Sequence, residues 1–203
     1  MLVPLLFLLF VDSVFAAPSF PALTGRVVDN AGMLSSSVET KLTEFLAAHE
    51  RATSNQVVVV TLPDLQGYDI ESFSYQLGRH WGVGEKDKNN GVLLVVAQRE
   101  RKIRIEVGYG LEGQLTDAIS ANIIHTIIRP AFKRGKFEAG IGAGTQAIIQ
   151  ALGGEYAMRK NRRSNSDKSP LAKLILPFIM LIWFISSFFG GGGGRGSRRY
   201  GYY

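Results

Sequence analysis

The period of apolar and polar residues changes along the chain, and these changes mark the predicted strands. Residues 92–97 are an unbroken apolar run, and residues 57–62 are apolar except for Thr61, the pattern of strands buried on both faces. Residues 101–107 instead alternate, with aliphatic side chains on one face: Ile103, Ile105 and Val107. Because only a short polar break separates this half-buried strand from the run before it, the two are predicted to form a β-hairpin.

Between and after these strands, apolar residues recur at helical spacing. Four helices are predicted, starting after Ser36, at Asp69, at Asp117 and near Phe137. Ser36 with Glu39 fits a capping box, and Thr116 suits the N-cap before Asp117. A short edge strand is predicted at Val27 and Val28. The order of elements predicts an α/β fold, a small mixed sheet with a β-hairpin packed between helices as an α/β/α sandwich.

Two features interrupt the predicted helices. Pro130 is expected to kink or end the third helix, because proline lacks an N–H and clashes with the preceding turn. Gly140 and Gly144 form a G-x-x-x-G in the last helix, and we expect them to allow close packing of that helix on the sheet.

The two ends of the chain differ from its middle. Residues 1–16 are an apolar run ending in Val14-Phe15-Ala16, which predicts a signal peptide cleaved after Ala16. No Lys or Arg precedes the apolar core, so an uncleaved anchor is the alternative. Residues 17–157 form the globular domain and 158–170 a basic linker. Residues 171–189 are predicted to be a transmembrane helix, and 190–203 form a tail rich in Gly, Arg and Tyr.

This organisation predicts a single-pass protein of the cell (inner) membrane. The signal peptide places the domain outside the cytoplasm, on the periplasmic side, and the tail inside. The charge distribution opposes this orientation, since five basic residues precede the predicted transmembrane helix and three follow it. The signal peptide is given precedence, because long translocated domains are largely insensitive to flanking charge.

The net charge of +6 at first suggests a nucleic-acid partner. Residues 17–157, however, hold 14 Lys and Arg against 15 Asp and Glu, so the excess lies in the membrane flanks. Nucleic acid is therefore not an expected partner, whereas a membrane protein is. The chain has no cysteine, which excludes disulfides, thiolate zinc sites and a cysteine nucleophile.

Three ordered motifs carry a resemblance to a known family. They are VVDNAGMLS at Val27–Ser35, RKIRIEVGYGLEGQLTD at Arg101–Asp117 and IRPAFKRGKFEAGI at Ile128–Ile141. Together, over about residues 25–152, the chain resembles the TPM domain family, named after a thylakoid-lumen protein, a photosystem repair factor and a receptor modulator. The resemblance implies an α/β fold with a small sheet between helices. It also implies divalent-cation binding and acid phosphatase activity, properties of some members.

The candidate site combines three carboxylates with two arginines. Asp29, Glu112 and Asp117 each lie where a strand or turn leads into a helix, and we expect them to converge at the carboxyl end of the strands. As oxygen ligands they would favour calcium or magnesium over zinc. Their alternatives are an Asx-turn, a solvated loop charge and a helix N-terminal charge. Arg101 and Arg104 are the candidates for binding a substrate phosphate, although Arg104 also suits a cross-strand ion pair.

Two functions follow from these observations. In the first, the chain is a membrane-anchored, extracytoplasmic, cation-binding module that assembles, maintains or modulates a membrane protein complex. In the second, it is a metal-assisted acid phosphatase that hydrolyses phosphomonoesters. The sequence contains neither a G-x-x-x-x-G-K-[ST] loop nor a G-x-S-x-G elbow, so nucleotide and serine-hydrolase mechanisms have no support.

Overall fold

The computed structural model describes residues 17–158, which contain one four-stranded sheet. In spatial order its strands are β1 (Val27–Asp29), β2 (Gln56–Leu62), β3 (Gly91–Ala97) and β4 (Lys102–Val107). β1, β2 and β3 are parallel, and β4 is antiparallel to β3. The helices are α1 (Ser36–Thr53), α2 (Ile70–Trp81), α3 (Asp117–Ile123), α4 (Arg129–Phe132) and α5 (Phe137–Leu152).

Each face of the sheet has its own hydrophobic core. On one face Val59, Leu94 and Ile105 pack with residues of α1, α3 and α5. On the other, Val58 and Leu93 pack with residues of α2. Parallel strands are buried on both faces, which explains the predominantly apolar sequences of β2 and β3. The prediction of a small mixed sheet with a hairpin between helices is confirmed.

The predicted signal peptide and transmembrane helix lie outside the described residues. Within residues 17–158, no helix is both long and apolar enough to cross a membrane.

The predicted cap at Thr116 is present, and Asp69, where the second helix is predicted to start, is also an N-cap. Asp69 accepts a hydrogen bond from the Ser72 N–H at 2.7 Å, and Thr116 accepts one from the Ile119 N–H at 3.3 Å. The capping box at Ser36 is wrong, since the N-cap of α1 is Ser35 and its side chain makes no cap bond. The Ser35 N–H instead donates to Glu138 of α5, so a tertiary contact replaces the local motif.

The third predicted helix continues past Pro130 through a π-helical turn, Ile124–Ile128, that joins α3 to α4. Gly140 and Gly144 of α5 pack against this segment. A Cβ on Gly140 would lie 2.7 Å from the Phe132 ring, and one on Gly144 would lie 2.6 Å from Ile128. The G-x-x-x-G therefore serves helix–helix packing, not the predicted packing on the sheet.

The strand directions define two ends of the sheet. At the carboxyl end, β1, β2 and β3 finish and β4 begins, with Ala97 paired to Lys102. At the amino end, β2 and β3 begin and β4 finishes, with Val92 paired to Val107. Because β4 runs antiparallel to its neighbour, the loop that follows β4 leaves from the amino end.

Candidate functional site

Asp29 lies at the carboxyl end of the sheet, and its carboxylate holds the following turn in place. It accepts hydrogen bonds from the N–H groups of Met33 at 3.0 Å and Leu34 at 2.8 Å. The hydroxyl of Thr61, a fully buried residue of β2, donates to the same carboxylate. The alternative of a turn-forming aspartate thus has direct structural support, although the bonds reach further along the chain than in an Asx-turn.

Glu112 lies at the opposite end of the sheet. It follows β4 and lines a groove at the amino end together with Glu106, Tyr109 and Arg79. β3 is seven residues long, which separates the two ends by roughly 20 Å at about 3.3 Å per residue.

The glycines before Glu112 serve close packing between two loops. A Cβ on Gly108 would lie 2.2 Å from the Asn89 carbonyl oxygen, and one on Gly110 would lie 2.1 Å from that of Lys88. The Gly110 N–H also donates to the Asn89 carbonyl at 3.1 Å. The backbone of the glycine-rich loop therefore packs against the backbone of the loop before β3, whereas the sequence predicts an ion near this loop.

Asp117, the third predicted ligand, is exposed at the first turn of α3. It lines a groove beside β4 with both predicted arginines, Arg101 and Arg104. Arg104 also pairs with Glu106, Nε to Oε2 at 3.0 Å, along the same strand and not across strands as predicted. The structure brings Asp117 together with these arginines.

The three predicted carboxylates do not form one cluster. Asp29 ends β1 at the carboxyl end of the sheet, and Glu112 follows β4 at the amino end. Asp117 lies beside β4. Within residues 17–158, no group of three or more His, Asp or Glu side chains has the geometry to hold a metal ion. The expected convergence is wrong because the antiparallel β4 sends its loop to the amino end. Binding of calcium or magnesium by any one of these residues stays a prediction.

The carboxyl end of the sheet instead holds a pocket that we call the basic pocket, with a volume of about 660 Å³. Four basic side chains of the described chain line it: Arg101, Lys102, Arg129 and Lys133. None of the described Asp or Glu residues does. Its apolar lining comes from the strands and from α4 and its flanks, through residues such as Ala97, Ile103, Phe132 and Phe137.

Arg101, which lines this pocket, has an unusual backbone conformation. It is the last residue of the hairpin turn, and its φ of +53° is rare for a residue with a Cβ. Its N–H donates to the Gln98 carbonyl at 3.3 Å. A strained backbone on a charged residue at a pocket is a pattern found at ligand sites.

Two side chains that do not line the pocket, His125 and Asp69, interact with its basic residues. Nη1 of Arg129 lies 3.2 Å from Nδ1 of His125, one helical turn earlier. Asp69 lies at the start of α2, where the Ser72 N–H chiefly, with a contribution from Lys102, lowers the pKa of its carboxyl group.

Sequence reasoning identified Arg101 but missed Lys102 and a second pair of basic residues, Arg129 and Lys133. Both lie within the motif Ile128–Ile141, and their spacing of four on one helical segment was the available signal. Their proximity to Arg101 depends on how α4 docks on the hairpin, which the sequence does not show.

This chain is similar to a known domain family and to solved structures. A model of the TPM domain matches residues 27–151, more than half of the chain. The N-terminal domain of a P. gingivalis protein, solved by solution NMR, is 37% identical over 68% of this chain and 89% of that domain, with a TM-score of 0.61. The BA42 protein of the psychrophilic bacterium Bizionia argentinensis shares the fold at 20% identity, with a TM-score of 0.52 over 65% of this chain and 90% of that protein. No curated protein matches this chain.

Proposed function

The chain belongs to the TPM domain family, and from this premise we propose that it is a binding module of a membrane protein assembly. In this proposal the basic pocket receives an anionic group, a carboxylate or phosphate, of the partner. The predicted signal peptide and the predicted transmembrane helix at 171–189 support an extracytoplasmic domain tethered to the membrane.

One observation carries the proposal, the one-sided charge of the basic pocket. Arg101 and Lys102 come from the hairpin, and Arg129 and Lys133 come from α4 and the residue after it. Four cations around an apolar floor repel one another unless an anion is present, so an anion that binds there is favoured.

Thermal unfolding with inorganic phosphate tests the proposal. Phosphate is expected to raise the melting temperature by mass action, and Arg101→Gln or Lys133→Gln should reduce that rise. Arg134→Gln is the matched control, because this exposed neighbour of Lys133 does not line the pocket. An equal rise in Lys133→Gln and Arg134→Gln would contradict the proposal.

A second function, metal-assisted phosphomonoester hydrolysis, is favoured by the grouping of Asp117 with Arg101 and Arg104 in one groove. In that case a divalent cation and Asp117 would activate water while an arginine holds the phosphate. Hydrolysis of p-nitrophenyl phosphate by the purified chain would then require calcium or magnesium and stop in Asp117→Asn. Turnover that is indifferent to a chelator would exclude this mechanism.

A further inference from the structure

The outer edge of β4 is open. β4 is the last strand of the sheet and, within residues 17–158, pairs only with β3. The Gly108 N–H donates to the Gly91 carbonyl at 2.8 Å, which identifies this pair as a hydrogen-bonded one. Bonded and non-bonded pairs alternate in an antiparallel ladder, so Ile103, Ile105 and Val107 direct their N–H and C=O groups away from β3.

A groove of about 530 Å³ lies along this edge, and we call it the β4 groove. Residues 101–105 of the hairpin line it. One wall is the start of α2, at Ile70 and Glu71, and the other is α3 with the π-helical turn, at Ala121 and Ile124. Within residues 17–158, neither wall makes a backbone hydrogen bond to β4.

The two faces of β4 differ in chemistry. The side chains of Ile103 and Ile105 join the core that contains α3 and α5, next to Ile124. Lys102 and Arg104 alternate with them and therefore point to the face covered by α2. Glu106 continues this face and pairs with Arg104. An added strand would thus have apolar neighbours on one face and charged neighbours, Lys102, Arg104 and Glu106, on the other.

The net positive charge of the β4 groove favours a ligand with negative charge. Four Arg and Lys side chains line it, Arg101, Lys102, Arg104 and Arg129, against two carboxylates, Glu71 and Asp117. A segment that alternates acidic and aliphatic residues complements both the charge and the faces of β4.

We propose that an extended acidic segment of a partner protein adds to β4 as a fifth strand of the sheet. Its main chain bonds to Ile103, Ile105 and Val107, its aliphatic residues lie beside Ile103 and Ile105, and its carboxylates lie beside Lys102 and Arg104. This inference rests on the proposed binding function and names the chemistry of the partner.

The test uses the purified full chain and a fluorescein-labelled heptapeptide, Val-Glu-Val-Glu-Val-Glu-Val. Fluorescence polarisation should show saturable binding, and hydrogen exchange should show slower exchange at Ile103, Ile105 and Val107. Two methylated peptides test the backbone bonds. If the peptide binds antiparallel to β4, its valine amides make the backbone bonds, and N-methylation of the valines should weaken binding at least tenfold. If it binds parallel to β4, its glutamate amides make these bonds, and N-methylation of the glutamates should weaken binding to the same extent. Weakening by both sets, or by neither, would overturn strand addition.

A charge exchange provides the second arm. Lys102→Glu with Arg104→Glu should abolish binding of the Glu–Val peptide and permit binding of a Lys–Val peptide. Protection of β4 in the absence of peptide, together with a dimer in sedimentation, would assign the edge to a second copy of the chain and overturn the proposal.

The two proposals fail separately. Lys133 lines the basic pocket but not the β4 groove, so Lys133→Gln should reduce the phosphate response and leave peptide binding unchanged. Peptide binding with no phosphate response would refute the basic pocket alone. A phosphate response without peptide binding or β4 protection would refute strand addition alone.

Discussion

The two ends of the sheet put loops to different uses. At the amino end, the loop after β4 packs backbone against backbone on the loop before β3, through Gly108 and Gly110. At the carboxyl end, the hairpin turn and α4 bring charged side chains around a pocket. The glycine-rich motif, which is the most conspicuous in the sequence, thus serves packing between loops. The less conspicuous basic residues form the candidate binding site. A glycine-rich loop beside a strand end is consequently weak evidence for a ligand site until its own neighbours are known.

The largest expected effect is at the amino end. Gly110→Ala should lower the free energy of unfolding by about 3 kcal/mol, because the new Cβ would overlap the Lys88 carbonyl in a well-packed region. Gly113→Ala is the matched control, since nothing lies within 4 Å of its Cβ position, and it should change stability by under about 0.5 kcal/mol. Urea denaturation measures both. Equal effects would refute the packing role of the loop.

Next in size is the loss of Asp29, which distinguishes a structural carboxylate from a ligand. Asp29→Ala leaves the N–H groups of Met33 and Leu34 without their acceptor and should cost about 1–3 kcal/mol. Asp117→Ala, at an exposed helix start, should cost about 0.3–1 kcal/mol. The comparison is made by denaturation with and without calcium. A loss in Asp29→Ala that appears only when calcium is present would instead assign Asp29 to a cation.

At the carboxyl end, a substitution of Arg101 should change stability and anion binding in opposite directions. Arg101→Gly should raise stability by about 0.5–1 kcal/mol, because glycine adopts its φ of +53° without strain. The same change should diminish the phosphate-induced rise in melting temperature. Asn89→Gly is the counterpart at the amino end, with a φ of +49° and a residue that tolerates this region, so its effect on both quantities should be smaller. A phosphate response preserved in Arg101→Gly would remove Arg101 from the pocket's function.

The smallest effects are those of pH, and they separate the two ends. Burial lowers the pKa of His49, near the end of α1 on the amino side. Its contribution to stability is therefore present above its ordinary value near 6.5 and lost as the pH falls below it through the folded pKa. The lowered pKa of Asp69 gives a contribution that is lost only below its ordinary value near 3.8. The free energy of unfolding, measured from pH 7.5 to 3, should fall in two steps in the unsubstituted protein. The step near neutral pH should be absent in His49→Gln, and the acidic step should be absent in Asp69→Asn. A first step that persists in His49→Gln would have another origin.

The sequence predicts most of the fold because its periodicity reflects burial directly. The apolar runs of β2 and β3, the alternation of β4 and the cap at Thr116 all follow from local sequence. The Ser36 capping box fails because Glu138, about a hundred residues away, provides the competing contact to Ser35.

The site is less predictable because it depends on docking, although the predicted hairpin by itself already makes β4 antiparallel. One antiparallel strand is sufficient to move Glu112 away from Asp29. The contribution of Arg129 and Lys133 appears only when α4 packs against the hairpin. Arg101 is identified from sequence because it shares a short motif with the hairpin that positions it.

The central claim is that anion binding belongs to the carboxyl end of the sheet. The most direct test is an NMR titration of ¹⁵N-labelled residues 17–158 with inorganic phosphate; the related P. gingivalis domain was itself solved in solution without the rest of its chain. We expect saturable shift changes at Arg101, Lys102, Arg129 and Lys133, and none at Gly108–Gly113. Shift changes centred on Gly108–Gly113, or none at the four basic residues, would contradict the claim.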